Sequence, residues 1–440
     1  MAFVRSIGRF AMTALVINCI IGSGIFGVPS ELSRLLGRAS PLAMIVAGAA
    51  MAVIMACFAE VASQFSEPGG AYLYVRTAFG RFAGLQVGWF WLLAVVGGGA
   101  ASANLFVGYL AELLPGVEHG WARIVVLGAL VAVPAAANYV GVRSGALLSN
   151  LTAVAKLVPL GLLIVLGVAR FSHQAQLIPI AEITAPGWTP WLMALLLLLF
   201  SYGGYEDALV PVGEVKHPRT TVPFALAAGL AICAAVYTLL QFVTVVTVGT
   251  HTTARPIAEV ASVLVGRGGA WFVAVAVMVS TYGWISGGML NAPRLPYAFA
   301  AHGDCPAALG ALHPRFNTPG LAIVLYAVLV WVLAATGTFL WVLALTAGSM
   351  MVLYAGVCLA LIRLRRLQPH ADALRVPAGP VLAVAGALLS IVLMTQLDLR
   401  QALLMGVTAL LATANWAWAR RQAASGRDSR PGSRLPTPGS

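Results

Sequence analysis

Charge is what this sequence has least of. Only 9% of its 440 residues are Asp, Glu, Lys or Arg, and just 14 are acidic, where an ordinary soluble domain is about a quarter charged. With a mean hydropathy of +0.90, that shortage excludes a soluble fold. Lysine is almost missing: Lys156 and Lys216 stand against 24 Arg. No dense basic stretch carries interleaved aromatics, so the net charge of +12 does not point to nucleic acid and has a membrane explanation instead. Cysteine is equally sparse. Cys19, Cys57, Cys233, Cys305 and Cys358 form no CxxC and no metal-ligand spacing, and they read as packing residues. No GxxxxGK[ST] occurs, which removes the phosphate-binding loop of an ATPase. His251, His302 and His313 fall in loops without metal spacing, so neither a metal nor a cofactor is expected.

What is present is hydrophobic, at 60% of residues. A helix needs roughly 20 apolar residues to cross the hydrocarbon core. The apolar runs predict about twelve spans near 10–36, 41–65, 83–114, 121–141, 147–169, 189–211, 222–249, 270–298, 319–337, 339–362, 378–397 and 400–419. Arg5 and Arg9 before the first run resemble a signal peptide, but the run continues to about Leu36 without a clear small-residue cleavage site. It is therefore read as a span. With the N-terminus inside, 18 basic residues fall on the inner side, 7 on the outer side, and Lys156 alone lies within a span. That bias predicts an integral plasma-membrane protein, of the bacterial inner-membrane kind, with both termini cytoplasmic. The tail, rich in Ser, Pro, Gly and Arg, has little to bury and is expected to be disordered.

Two interruptions carry the chemistry. Ile21-Gly22-Ser23-Gly24-Ile25-Phe26-Gly27 lies in the first span and satisfies GxGxxG. A dinucleotide turn needs a preceding strand, a soluble helix and an acid about 20 residues on, none of which fits this run. Phe200-Ser201-Tyr202-Gly203-Gly204-Tyr205-Glu206-Asp207 interrupts the sixth span, five spans later. Glycines of this kind also allow close helix packing. Paired interruptions at corresponding positions of two halves, however, point to an inverted-repeat transporter with substrate held between half-helices. Freed amides can hold a carboxylate and freed carbonyls an ammonium.

These segments resemble the amino acid-polyamine-organocation permeases over roughly residues 10–420. The resemblance is carried by Gly22 to Gly27, by Pro68-Gly69-Gly70-Ala71-Tyr72 with Phe79-Gly80, by Phe200 to Glu206, and by Glu214-Val215-Lys216-His217-Pro218-Arg219 with Pro223. It implies an all-α membrane protein of two inverted five-helix repeats plus two further helices. The expected segments are a cytoplasmic N-terminus at 1–9, a first repeat at 10–170, a second at 189–362, the added helices at 378–419, and a tail at 420–440. It also implies alternating access around spans one and six. The substrate carboxylate would meet backbone at Ser23, Gly24 and Ile25, and the substrate amine backbone around Phe200, Ser201 and Gly203; Gly22, Phe26 and Gly204 complete the expected site, and Phe200, Tyr202 or Tyr205 could close over the substrate. Lys156, in Ala-Lys-Leu-Val-Pro, matches a lysine that fills a sodium site in sodium-independent members. An intramembrane charge is also a functional expectation by itself, with snorkelling as the bland reading.

Glu206 and Asp207 follow the glycine pair, and their side chains diverge by about 100 degrees on a helix. A gate, a proton site, a partner for a cationic substrate, or a bond to a neighbouring helix all fit a carboxylate there. Glu60 reads as structural or gating. Tyr282, Trp284 and Ser286 read as packing, and Asn18 and Asn104 as bonds across helices. Together these predict a secondary carrier for amino acids or amines, proton-coupled and sodium-independent, with exchange of cationic amino acids or polyamines as the alternative. Nothing resembles a repeated filter or a nucleophile-base constellation, so neither a channel nor an enzyme is expected.

Overall fold

The computed structural model describes residues 7–65, 70–141, 145–172, 187–209, 215–249, 252–301, 303–367 and 374–424. Pro68, Gly69, Glu214, His251, His302 and the tail from 425 lie outside the described residues.

The described elements are helical. The first span is broken into α1 (Arg9–Ile20), α2 (Gly24–Gly27) and α3 (Pro29–Leu36), and α4 (Ser40–Ala62) is the second. A short helix, α5 (Gly70–Phe79), precedes the third span, α6 (Arg81–Leu110); α7 (Gly120–Tyr139) and α8 (Gly145–Ser172) complete the first half. The sixth span is again broken, into α9 (Trp188–Tyr202) and α10 (Tyr205–Ala208), and is followed by α11 (Pro218–Val248), short α12 (Pro256–Val265) and α13 (Arg267–Asn291). After short α14 (Arg294–Ala301) come α15 (Gly320–Thr336), α16 (Phe339–Leu367), α17 (Gly379–Met394) and α18 (Leu399–Ala424). By length and composition seven of the described helical stretches can each cross a membrane unaided. α1, α8, α9, α15 and α17 supply the remaining crossings of a twelve-span chain.

The expected spans correspond to these elements, with one run divided. The apolar stretch 270–298 ends as a span at Asn291, and α14 starts anew at Arg294. Pro293 lies between them. Proline lacks an amide hydrogen and clashes with the preceding turn, so it stops the helix. The short helices α5, α12 and α14 carry too few apolar residues to register as spans.

Packing shows why apolar periodicity is weak here. On α4 the small residues Ala43, Ala47 and Gly48 are turned inward beside Met44, Met51 and Phe58, while Leu42 and Ile45, as apolar as these, are exposed. Lipid is as apolar as leucine, so close backbone approach rather than hydrophobicity orients such a helix. α1 packs on α11, α9 on α4, and α16 on both α6 and α17.

The side carrying the chain termini is held by ion pairs. Glu60, 1% exposed, accepts from Arg365 at 2.6 and 2.7 Å and from the Val376 amide at 2.8 Å. Glu60 therefore clamps spans two and ten to the chain before span eleven. Asp304, fully buried, pairs with Arg76 at 3.1 Å and with Arg81, and accepts from the Tyr72 hydroxyl at 2.6 Å. On the same side Ile7 bridges Val215, with the Lys216 amide donating to Ile7 O at 2.8 Å. That link ties the chain before span one to the chain after span six.

Candidate functional site

The two breaks face each other, and their glycines explain how closely. α1 ends at Ile20 and the backbone bends through Ile21, Gly22 and Ser23 before α2 resumes at Gly24. α9 ends at Tyr202, Gly203 is extended, and Gly204 takes φ +94°, a left-handed value that suits only glycine well. A Cβ on Gly204 would collide with the Cys19 carbonyl oxygen, and one on Gly24 would lie 2.8 Å from Ser201 Cβ and 2.9 Å from its Cα. Gly204 and Gly24 therefore let spans one and six touch. Gly22 differs: a Cβ there would meet only Ile20 O, at 3.9 Å, so it borders open space.

A helix end leaves four carbonyls without intrahelical donors, and the end of α1 can be accounted for almost completely. Lys156 Nζ, from the fifth span, donates to Asn18 O at 2.6 Å and to Ile21 O at 2.8 Å. Tyr237 on the seventh span places its hydroxyl 3.1 Å from Ile20 O and 3.1 Å from Ser201 O, touching both breaks. The Cys19 carbonyl is covered by Gly204. On the other side of the break, α2 starts at Gly24, so its first amides, those of Gly24 and Ile25, have no intrahelical acceptor. Positive amide ends and the space beside Gly22 thus adjoin.

The remaining expected residues divide by surroundings. Ser23, Ile25 and Phe26 are buried, and Phe26 O accepts from Tyr109 at 2.7 Å. Ser201 Oγ donates back to Leu197 O at 3.1 Å. Among the three aromatics, Tyr202 is fully buried and donates to Met44 O at 2.9 Å, with its ring 5.0 Å from that of Tyr237. Tyr205 is also fully buried, edge-on to Phe58 at 5.3 Å and stacked on Tyr354 at 6.1 Å. Phe200 is the half-buried one. Glu206 is buried; its carboxylate accepts from the Gly204 amide at 3.0 Å and faces the Tyr354 hydroxyl at 3.5 Å. Asp207 is exposed, although its charge is felt at Cys19, Tyr326 and Tyr354 on three other spans. An exposed carboxylate with groups of three other spans around it lines a recess between them.

Burial is asymmetric across the breaks. α2 and the last turns of α9 are almost wholly buried, and Ser30 Oγ donates to Thr253 O at 2.9 Å beside α12. Beyond the breaks, toward the termini, Asp207 is exposed and Tyr282, Trp284 and Ser286 are half-buried. Asn104 donates to Gly337 O at 3.3 Å and accepts from Arg123 at 2.7 Å, across helices as expected. Asn18 Oδ1 and Ser286 Oγ are buried without a partner among the described residues. Tyr237, Tyr354 and Phe58 were not anticipated: an aromatic inside an apolar run carries no spacing signal that distinguishes a site from packing.

The amino acid permease family profile matches residues 7–418. The serine/threonine exchanger SteT of Bacillus subtilis is 28% identical over 72% of this chain and 74% of its own. The methylthioribose transporter of the same organism is 24% identical over 88% and 87%, and cationic amino acid transporter 4 of Mus musculus 25% over 75% and 55%. Among solved structures, Mhp1, a nucleobase-cation-symport-1 family transporter in a closed conformation with bromovinylhydantoin bound, superposes with a TM-score of 0.56. It is 17% identical and covers 95% of this chain and 94% of that one, a likeness of fold. Matched by that profile along nearly its whole length, the chain belongs to the amino acid permease family.

Proposed function

We propose that this protein is a secondary transporter of amino acids, driven by protons and independent of sodium, that works by alternating access around the breaks in spans one and six. The observation that carries the reading is the pairing of the two breaks: helix-start amides and open space at Gly22 stand beside the interrupted end of α9. Amides at a helix start suit a carboxylate, and interrupted backbone at membrane depth persists where it lines a cavity.

Sodium independence is supported by Lys156. Its ammonium occupies the carbonyl oxygens of Asn18 and Ile21, which are hard oxygen ligands of the kind an alkali cation would use. A charge there, released or retained as the breaks separate, offers a route for proton coupling. In the proposed cycle α2 and α9 seal the far side while the recess at Asp207 opens toward the termini. The arginine distribution supports that side being the cytoplasmic one, in a plasma membrane of bacterial inner-membrane type. Exchange is the second reading, supported by the serine/threonine exchanger among the relatives.

Uptake into proteoliposomes tests both. Saturable, pH-gradient-driven accumulation of an amino acid without sodium supports the proposal. Uptake only into vesicles preloaded with amino acid favours exchange, and no saturable amino acid flux overturns the transport reading.

A further inference from the structure

Away from the breaks, where α7 and α13 end and α15 begins, lies a cavity of about 280 Å³ whose wall includes Asn138, Leu290, Pro293, Arg294, Tyr297 and Ile323. Spans four and eight both run toward the side of the termini, so the cavity sits at that surface of the bundle. Its volume is near the lower end for small-molecule pockets, about 300 Å³. Arg294 is exposed and makes no hydrogen bond or ion pair among the described residues. No acidic side chain lines the cavity, and Asp304, the acid that follows α14, is buried in its pairs with Arg76 and Arg81. A second exposed cation, Arg315, stands two residues before Asn317 of the wall. Its guanidinium lies over the Phe316 ring, 5.4 Å from the centroid, and it too has no acidic partner among the described residues. Leu290, Leu312 and Tyr297 bring apolar and aromatic surface to the same wall, and they are 41%, 46% and 39% exposed.

We propose that this cavity binds the headgroup of an anionic phospholipid from the leaflet on the side of the termini, with Arg294 receiving the phosphate and an acyl chain lying along Leu290. A guanidinium matches phosphate geometry with paired N–H donors, and tyrosine favours the boundary between headgroups and hydrocarbon. Any cation at a membrane surface attracts anionic lipid. Arg294 differs from the other arginines of that surface in having a cavity beside it and an exposed apolar wall leading from it. A zwitterionic lipid would bring its own cation to a wall with two arginines and no acid, so the site selects net negative charge. A soluble phosphate would leave Leu290 and Leu312 uncovered. Spans four, eight and nine meet there, so an occupied cavity joins their ends. The proposal does not depend on which substrate the protein carries.

The test is titration of the purified full-length protein, in a neutral detergent, with phosphatidylglycerol, phosphatidylcholine and glycerol phosphate. Native mass spectrometry reads retained lipid and thermal shift reads stabilisation. Phosphatidylglycerol should be retained in preference to phosphatidylcholine, and glycerol phosphate at the same concentration should have no effect. Arg294→Gln should weaken phosphatidylglycerol binding by about fivefold or more, the scale of one cationic contact with an anionic membrane surface. Leu290→Trp, which fills the cavity and retains the arginine, should weaken it similarly. Arg363→Gln removes an exposed arginine near the end of α16, outside the cavity wall, and should stay within about twofold of wild type. Equal binding of the two lipids, or equal losses in Arg294→Gln and Arg363→Gln, would reduce the effect to general surface charge and overturn the proposal. Undiminished binding in Leu290→Trp would take the lipid out of the cavity and overturn it as well. Glycerol phosphate binding as tightly as the lipid would make the occupant a soluble phosphate, which also overturns it.

Discussion

Lys156 on the fifth span and Ile21 at the break of the first are joined by a hydrogen bond of 2.8 Å, and the same ammonium reaches Asn18 O at 2.6 Å. One side chain thereby serves two of the carbonyls that the end of α1 leaves open. Lys156→Ala should fold with reduced stability, because each of the two carbonyls it leaves without a donor costs about 1–3 kcal/mol. It should fail to accumulate substrate against a gradient. Accumulation by Lys156→Ala equal to wild type under an imposed pH gradient would confine the lysine to a structural role.

Gly203 and Gly204 should respond differently to alanine. At Gly204 the left-handed φ costs an L-residue about 1–2 kcal/mol, and the added carbon collides with the Cys19 carbonyl, which cannot yield without moving span one. At Gly203 the nearest atoms are Met350 Cε at 2.8 Å and the Tyr354 hydroxyl at 2.9 Å, both at the ends of side chains. Gly204→Ala should lower thermal stability in detergent markedly and abolish binding, whereas Gly203→Ala should keep measurable affinity. The reverse order would contradict the geometry.

Gly24→Val tests the contact between the breaks. Ser201 lies where the valine side chain would go, so spans one and six must separate. Loss of substrate binding in correctly inserted protein is expected, and Gly24→Ala should be intermediate. Unchanged affinity in Gly24→Val would show that the two breaks need not touch.

Tyr237→Phe removes a hydroxyl shared by Ile20 O and Ser201 O while keeping the ring that packs on Tyr202. Its stability should fall by about 0.5–1.5 kcal/mol, the net value of one hydrogen bond. Because the hydroxyl couples the two breaks, transport rate should change more than equilibrium affinity. Comparing initial uptake rates with thermal-shift titrations separates the two.

The clamp between Glu60 and Arg365 gives an asymmetric prediction. Arg365→Ala leaves a carboxylate that is 1% exposed with one backbone donor, and stranding a buried charge costs about 3–5 kcal/mol. Glu60→Gln leaves a guanidinium that is 20% exposed and still donates to Val376 O, so it should cost less. Adding Glu60→Gln to Arg365→Ala should recover stability. Equal losses from the two single variants would show that the pair contributes through packing rather than charge.

The sequence by itself determined that this chain lies in a membrane, that it crosses about twelve times, and where two crossings are interrupted. Apolar run length, charge scarcity and glycine clusters are local properties, and lipid leaves the backbone no alternative to helix. The same locality marked Lys156 and Glu206, since an ionisable group inside an apolar run stands out without any tertiary information. Only the tertiary structure decided which atoms those groups meet. Gly22 borders space while Gly24 holds span six. Tyr202 and Tyr205 turn into the packing behind the break while Phe200 stays half-buried. Glu206 is capped and its neighbour Asp207 stands unpaired in the open recess. Tyr237, silent in the sequence, joins two breaks about 180 residues apart. The physical reason is that partners in a membrane bundle come from helices distant along the chain and are chosen by close packing of small residues. That choice leaves no periodic trace in a sequence apolar on every face.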